Sequence, residues 1–135
     1  MRISPRSRAV IRRCDTRHAI SIWPLHTRTL TLFIRTISDD NPIVRLFRAL
    51  PHLEDARIIG RQILRSGTSV GANYRAVCRS RSRQEFIAKL GLVLEETDET
   101  VFWLQMLADC NIVAGTRLKS LIREANELTA SSWRL

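Results

Sequence analysis

The sequence lacks several features that are typical of metal proteins, membrane proteins and secreted proteins. Its 135 residues contain three cysteines, Cys14, Cys78 and Cys110, and no CxxC pair, so a zinc site built from paired cysteines is not expected. No apolar run approaches the length that crosses a bilayer, and no clean apolar segment leads to a small-residue cleavage site. We therefore interpret the chain as a cytoplasmic protein without a membrane partner.

Histidine is too scarce and too poorly placed for a metal site. The three histidines lie outside the long helical patterns described below: His18, His26 and His52. Carboxylates crowd one of these patterns: Glu95, Glu96, Asp98 and Glu99. Two-metal helical bundles combine such carboxylates with Glu-x-x-His repeats, which are absent here. We predict no metal and no cofactor, and we expect three of the acids to pair with arginines of the preceding helix: Glu95, Asp98 and Glu99 with Arg57, Arg61 or Arg65.

Lysine is also rare, because two lysines stand beside twenty arginines. The net charge of +9 is uneven: residues 1–37 carry eight arginines against Asp15, or +7, and the rest of the chain carries only +2. Such basicity suits nucleic acid or an anionic surface. We predict a basic arm over residues 1–38, either disordered or a misassigned start, followed by a helical domain over residues 39–135.

Four segments have helical periodicity. Asn41 and Pro42 open a short first helix that stops at Pro51. A second helix is predicted from about Glu54 to about Arg79. Its apolar residues recur at steps of three and four: Ile59, Ile63, Gly67 or Ser66, Val70, Tyr74 and Val77.

The third helix has clear signals at both ends. Ser82 and Glu85 form a capping box at its start, and Asn111 is a plausible left-handed residue after its end near Cys110. A fourth helix is predicted from about Thr116 to about Thr129. Short links between long amphipathic helices favour antiparallel neighbours. The predicted fold is therefore all-α, an antiparallel up-down four-helix bundle with a short first helix.

The stretch GTSVG, residues 67–71, raises the question of a phosphate-binding loop. A Walker-type loop needs a preceding strand and a final GK[ST], and neither is present. Small residues inside a helix instead let another helix approach closely, which offsets the roughly 1 kcal/mol that each glycine costs. We therefore predict helix contacts at Gly60, Gly67 and Gly71, with Asn73 making a polar contact between helices.

Arginines gather where the second helix gives way to the third: Arg75, Arg79, Arg81 and Arg83. Repeated arginines could bind phosphates of RNA or DNA. No aromatic residue is interleaved with them, so base stacking is not indicated. The alternative is that these arginines are solvated and only interact favourably with the negative, carboxyl-terminal end of the dipole of the second helix.

The third helix is apolar on more than one side. The predicted core stripe of this helix is Phe86, Leu90, Val93, Thr97, Val101 or Thr100, Leu104 and Leu107. Phe102, Trp103 and Met106 lie beyond this stripe, and their additional apolar surface suggests a subunit interface. Packing against the fourth helix alone is the other explanation.

The run IIGRQILRSGTSVGANYRAVCRSRSRQEFIAKLGLVLEETDETVFWLQML resembles the four-helix-bundle proteins first noted in 23S ribosomal RNA intervening sequences. That family also includes accessory proteins of diversity-generating retroelements. The resemblance spans about Pro51 to Leu128 and implies an antiparallel four-helix bundle without known enzyme activity, commonly assembled as a pentamer. The segment from Asn41 to Leu50 departs from the family pattern, as if part of the first helix were missing.

Two functions remain open at this point. The first is a non-enzymatic homo-oligomer that binds RNA or DNA through the four arginines. The second is a protein-interaction scaffold, such as a reverse-transcriptase accessory subunit. No Ser-His-Asp or Cys-His arrangement is suggested, so we predict that the protein is not an enzyme.

Overall fold

The computed structural model describes the backbone of residues 41–132 and the side chains of residues 41–130. The predicted arm, residues 1–38, lies outside the described residues. Four helices account for most of the described chain, and no strand occurs among those residues. In chain order the helices are α1 (Pro42–Ala49), α2 (Glu54–Val77), α3 (Arg83–Asp109) and α4 (Gly115–Ser132).

Helix α1 begins as the sequence predicts. The Asn41 side-chain oxygen accepts hydrogen bonds from the amides of Ile43 at 2.8 Å and Val44 at 3.4 Å. These are two of the amides that a helix start leaves without partners, and Pro42 at the first position has none to satisfy. The helix ends at Ala49, before Pro51, and is only eight residues long.

Helix α2 runs without a break through the glycine-rich stretch. The Ser66 hydroxyl donates to the Gln62 carbonyl at 2.9 Å, and the Thr68 hydroxyl donates to the Leu64 carbonyl at 2.7 Å. These bonds satisfy the hydroxyls inside the helix. The predicted apolar stripe of this helix is confirmed, because all its members are buried. GTSVG is therefore helical and is not a phosphate-binding loop.

Helix α3, about 40 Å long at 1.5 Å per residue, has the predicted caps with one difference. The Ser82 hydroxyl accepts from the Glu85 amide at 3.1 Å, but the Glu85 carboxylate accepts from the Arg81 amide at 2.7 Å instead of the Ser82 amide. At the other end Asn111 is left-handed, with φ 56°. The amides of Asn111 and Ile112 then bond back to Ala108 and Leu107, as in a Schellman motif.

Each helix contacts the next one along the chain, in the order α1–α2, α2–α3 and α3–α4. The links are short, so consecutive long helices run antiparallel. The largest fully buried apolar side chains come from all four helices: Ile43, Ile63, Val70, Val77, Val93, Leu104, Leu107, Leu118 and Leu128. The described part of the chain is a helical bundle with a short first helix, and none of its helices is apolar over enough length to cross a membrane.

Candidate functional site: the arginine corner and its supporting helices

The glycines of α2 make room for α1. A Cβ atom at Gly67 would lie 3.0 Å from two carbons of the Ile43 side chain, and one at Gly60 would lie 2.5 Å from Leu50 Cδ1. Both distances are shorter than ordinary carbon contacts. Gly71 is buried and Asn73 is half-buried on the same helix. The glycine pattern could not reveal that the short α1, rather than a long helix, occupies this position.

The side of α2 that faces α3 is held by polar groups. The Thr100 hydroxyl lies 2.9 Å from the Ser66 hydroxyl and 2.8 Å from the Glu96 carbonyl, and both Ser66 and Thr100 are fully buried. Each hydroxyl also has a carbonyl acceptor in its own helix, so the Ser66–Thr100 contact adds a buried polar contact between α2 and α3 to bonds that already satisfy both groups. The sequence analysis considered Ser66 only as a small residue, so it did not predict the contact between the Ser66 and Thr100 hydroxyls.

One arginine joins α2 to the carboxylates of α3. Arg65 forms a hydrogen-bonded salt bridge with Glu99 and a longer ion pair with Glu96 at 3.6 Å. Bonds from the Arg65 guanidinium and then from the Trp103 ring nitrogen hold the pKa of Glu99 below its usual value. Among the predicted pairs, Arg65 with Glu99 is confirmed. Glu95 and Asp98 are exposed and form no salt bridge within the described residues, and the Glu96 contact was not predicted.

The arginine corner is the link between α2 and α3 with its flanking turns. We define it by four arginines, all exposed: Arg75, Arg79, Arg81 and Arg83. None of them forms a salt bridge with another described residue. Their charges therefore face water on this part of the molecule.

The carboxylate at this corner is already engaged. Glu85 accepts from the Lys89 ammonium at 2.6 Å as well as from the Arg81 amide, and Lys89 also lies 3.4 Å from the Ala76 carbonyl at the end of α2. The bond from Lys89 and then the Arg81 amide hold the pKa of Glu85 below its usual value. Glu85 thus fixes the backbone of the corner and stays ionised at neutral pH.

The large apolar side chains of α3 differ in how far they are exposed. Phe86 and Leu104 are buried in the core, Trp103 and Met106 are half-buried, and Phe102 is exposed. The two stripe residues are thus buried as predicted, whereas the three residues beyond the stripe keep part of their surface exposed, Phe102 most of all.

The two described cysteines differ from each other. Cys78 is buried, and Cys110 is a free, exposed thiol just past the end of α3. Among the described residues, no three histidine, cysteine, aspartate or glutamate side chains are grouped as metal ligands.

The fold and the corner define a helical-bundle protein with a basic link between its two longest helices. The model of the family described as 23S rRNA-intervening sequence protein matches residues 34–132, and the chain belongs to this family. The match begins at residue 34, ahead of the boundary that we predicted at residue 39.

One solved structure similar to this chain is a protein of unknown function from the S23 ribosomal protein family of Bacteroides thetaiotaomicron. The two sequences are 31% identical, and the TM-score is 0.65. The alignment covers 78% of this chain and 91% of the other. No curated protein matches significantly. Neither the family description nor the similar structure names an enzymatic activity.

Proposed function

We propose that the protein is a non-enzymatic, cytoplasmic bundle protein that binds the phosphate backbone of RNA or DNA through the arginine corner. The observation that carries the proposal is the exposure of all four corner arginines together with the engagement of Glu85 by Lys89. A guanidinium that is free of carboxylates can form paired hydrogen bonds with a phosphate. The family description, which refers to 23S rRNA, supports RNA as the first ligand to test.

The corner favours contact with the backbone over readout of bases. Of the described aromatic residues, the strongly exposed one is Phe102, which lies nineteen positions beyond Arg83 on α3. At 1.5 Å per residue this separation is about 28 Å, too far for a base held at the corner to stack on the ring. Binding should therefore depend strongly on salt and weakly on sequence.

A mobility-shift titration of the full chain with a structured RNA tests the proposal. We expect Arg79→Ala with Arg81→Ala to weaken binding about tenfold at low salt, because two phosphate contacts are removed. The matched control is Arg117→Ala with Lys119→Ala, which removes the same charge from exposed positions at the start of α4, the opposite end of the bundle. Equal losses in the two variants would show that only net charge matters, and the proposal would be wrong.

We also propose that copies of the chain associate, which would repeat the corner and multiply its phosphate contacts. Support comes from four large apolar side chains that are each about half exposed. Leu53 lies just before α2, Ile58 lies in α2, and Ile87 and Leu92 lie in α3. The pentamer implied by the family resemblance is the expected state. Native mass spectrometry checks it, and a monomer at micromolar concentration would contradict it.

A second candidate function is a protein-interaction scaffold, of which a reverse-transcriptase accessory subunit is one example. The exposed Phe102 on the outer side of α3 favours it, because a large aromatic ring in water is a common anchor in interfaces. Capture of a partner that survives nuclease treatment would separate this function from nucleic-acid binding.

A further inference from the structure

An aromatic pair marks the outer face of α3. Phe102 is 51% exposed, and its ring meets Trp103 edge to face, with the ring centroids 4.9 Å apart. Trp103 is half-buried, and its ring nitrogen donates to Glu99 at 3.2 Å. This bond and the contact with Trp103 restrict both rings, so a partner that binds Phe102 loses little side-chain freedom.

The surroundings of this pair are acidic although the whole chain is basic. No lysine or arginine occurs between Lys89 and Arg117, and that interval contains five acids: Glu95, Glu96, Asp98, Glu99 and Asp109. Glu95, Asp98 and Glu99 lie within two turns before Phe102, and side chains three or four positions apart share a helix face. Since the described salt bridges at this face all come from Arg65, the face keeps an excess of negative charge.

The contacts of Arg65 show that a guanidinium can bind to a carboxylate of this face. Its guanidinium binds Glu99 at the position where the Trp103 nitrogen binds the same carboxylate oxygen. One cation is therefore already held beside the aromatic pair. Glu95 and Asp98, seven and four positions before Phe102 on the same helix, form no salt bridge with another described residue.

We propose that the face formed by Glu95, Asp98, Phe102 and Trp103 binds a basic segment of a partner protein. A guanidinium or ammonium would lie over the Phe102 ring, where the ring quadrupole attracts it, within reach of the free carboxylates. Nucleic acid and anionic membrane are disfavoured by the charge of the face, and two copies of the same face would repel each other. The inference rests on the second candidate function and is independent of the arginine corner.

Short synthetic peptides provide the probe. One peptide alternates arginine with leucine, and its matched control alternates glutamate with leucine. The full chain carries Trp23→Phe and Trp133→Phe so that Trp103 alone reports binding by fluorescence. We expect saturable binding of the basic peptide and none of the acidic one. Phe102→Ala, or Glu95→Lys with Asp98→Lys, should weaken binding about tenfold or more, whereas Arg79→Ala with Arg81→Ala should leave it unchanged.

The outcomes separate the inference from the function on which it rests. Equal binding of both peptides through Phe102 would keep the scaffold function and overturn the preference for a basic partner. Failure of both peptides to bind would overturn both. Native mass spectrometry of Phe102→Ala provides the last check, because a smaller assembly would show that a second copy of this chain covers the face, which also overturns the inference.

Discussion

The glycine-rich part of α2 and the arginine corner that follows it differ in what their side chains contact. Residues 60–71 lie against α1 and α3, where a Cβ added at Gly60 or Gly67 would press against the Leu50 or Ile43 side chain. The corner arginines reach into solvent. In the first region the local geometry determines which residues fit. In the second region the geometry constrains the backbone caps and leaves the side chains free for a ligand.

This contrast separates stability from binding. Substitutions in the glycine-rich region should change the free energy of unfolding and leave the affinity of the folded protein for RNA unchanged. Substitutions of the corner arginines should do the reverse, since exposed side chains away from caps contribute little to stability.

The largest effect is expected at Gly67. In Gly67→Leu the new side chain meets Ile43, and we expect a loss of about 2 kcal/mol in the free energy of unfolding, because overpacking outweighs the gain in helix propensity. Chemical denaturation measures it. The control is Gly91→Ala in α3, where an added Cβ meets nothing within 4 Å and a gain of about 1 kcal/mol is expected. A stabilised Gly67→Leu would contradict the contact with α1.

Tyr74 marks the boundary between the two regions. Its side chain is buried although its neighbour Arg75 is exposed, and burial raises the pKa of Tyr74 to about 12. Because it is the single tyrosine of the chain, the ultraviolet absorbance of the phenolate titrates it without overlap. We expect no transition near pH 10, the usual tyrosine value. A midpoint there in the folded protein would place Tyr74 in water.

A smaller loss of stability is expected at Ser82. This residue belongs to the corner but caps α3, so Ser82→Ala should cost about 1 kcal/mol while the arginines remain. Thermal unfolding of Ser82→Ala beside Ser82→Asp tests it, because aspartate also caps helices well and should restore most of the loss. If Ser82→Ala melts like the wild type, the cap does not support the corner.

Much of the fold could be predicted from the sequence because local rules determine it. The start of α1 at Asn41, the cap at Ser82 and the left-handed Asn111 are all decided by residues within one turn of each other. The buried stripes of α2 and α3 follow from helical periodicity, and all of their members are buried. These features do not depend on which helix lies opposite.

The contacts between helices could not be predicted in the same way. A glycine shows that something approaches closely but does not show what, so α1 was not identified as the partner of Gly60 and Gly67. Helical periodicity placed Leu104 in the buried stripe and Phe102 outside it, as the structure has them, but it could not show what contacts the half-exposed Phe102 ring. The corner arginines were found by their spacing, and their use depends on a ligand that the sequence does not encode.

The salt dependence of RNA binding tests the central claim most directly. For the wild type and for Arg79→Ala with Arg81→Ala, the logarithm of the association constant is measured against the logarithm of salt concentration. The account predicts that the double variant keeps the melting temperature of the wild type and loses about two units of slope, one for each phosphate contact removed. Equal slopes and equal association constants for the two proteins would contradict it.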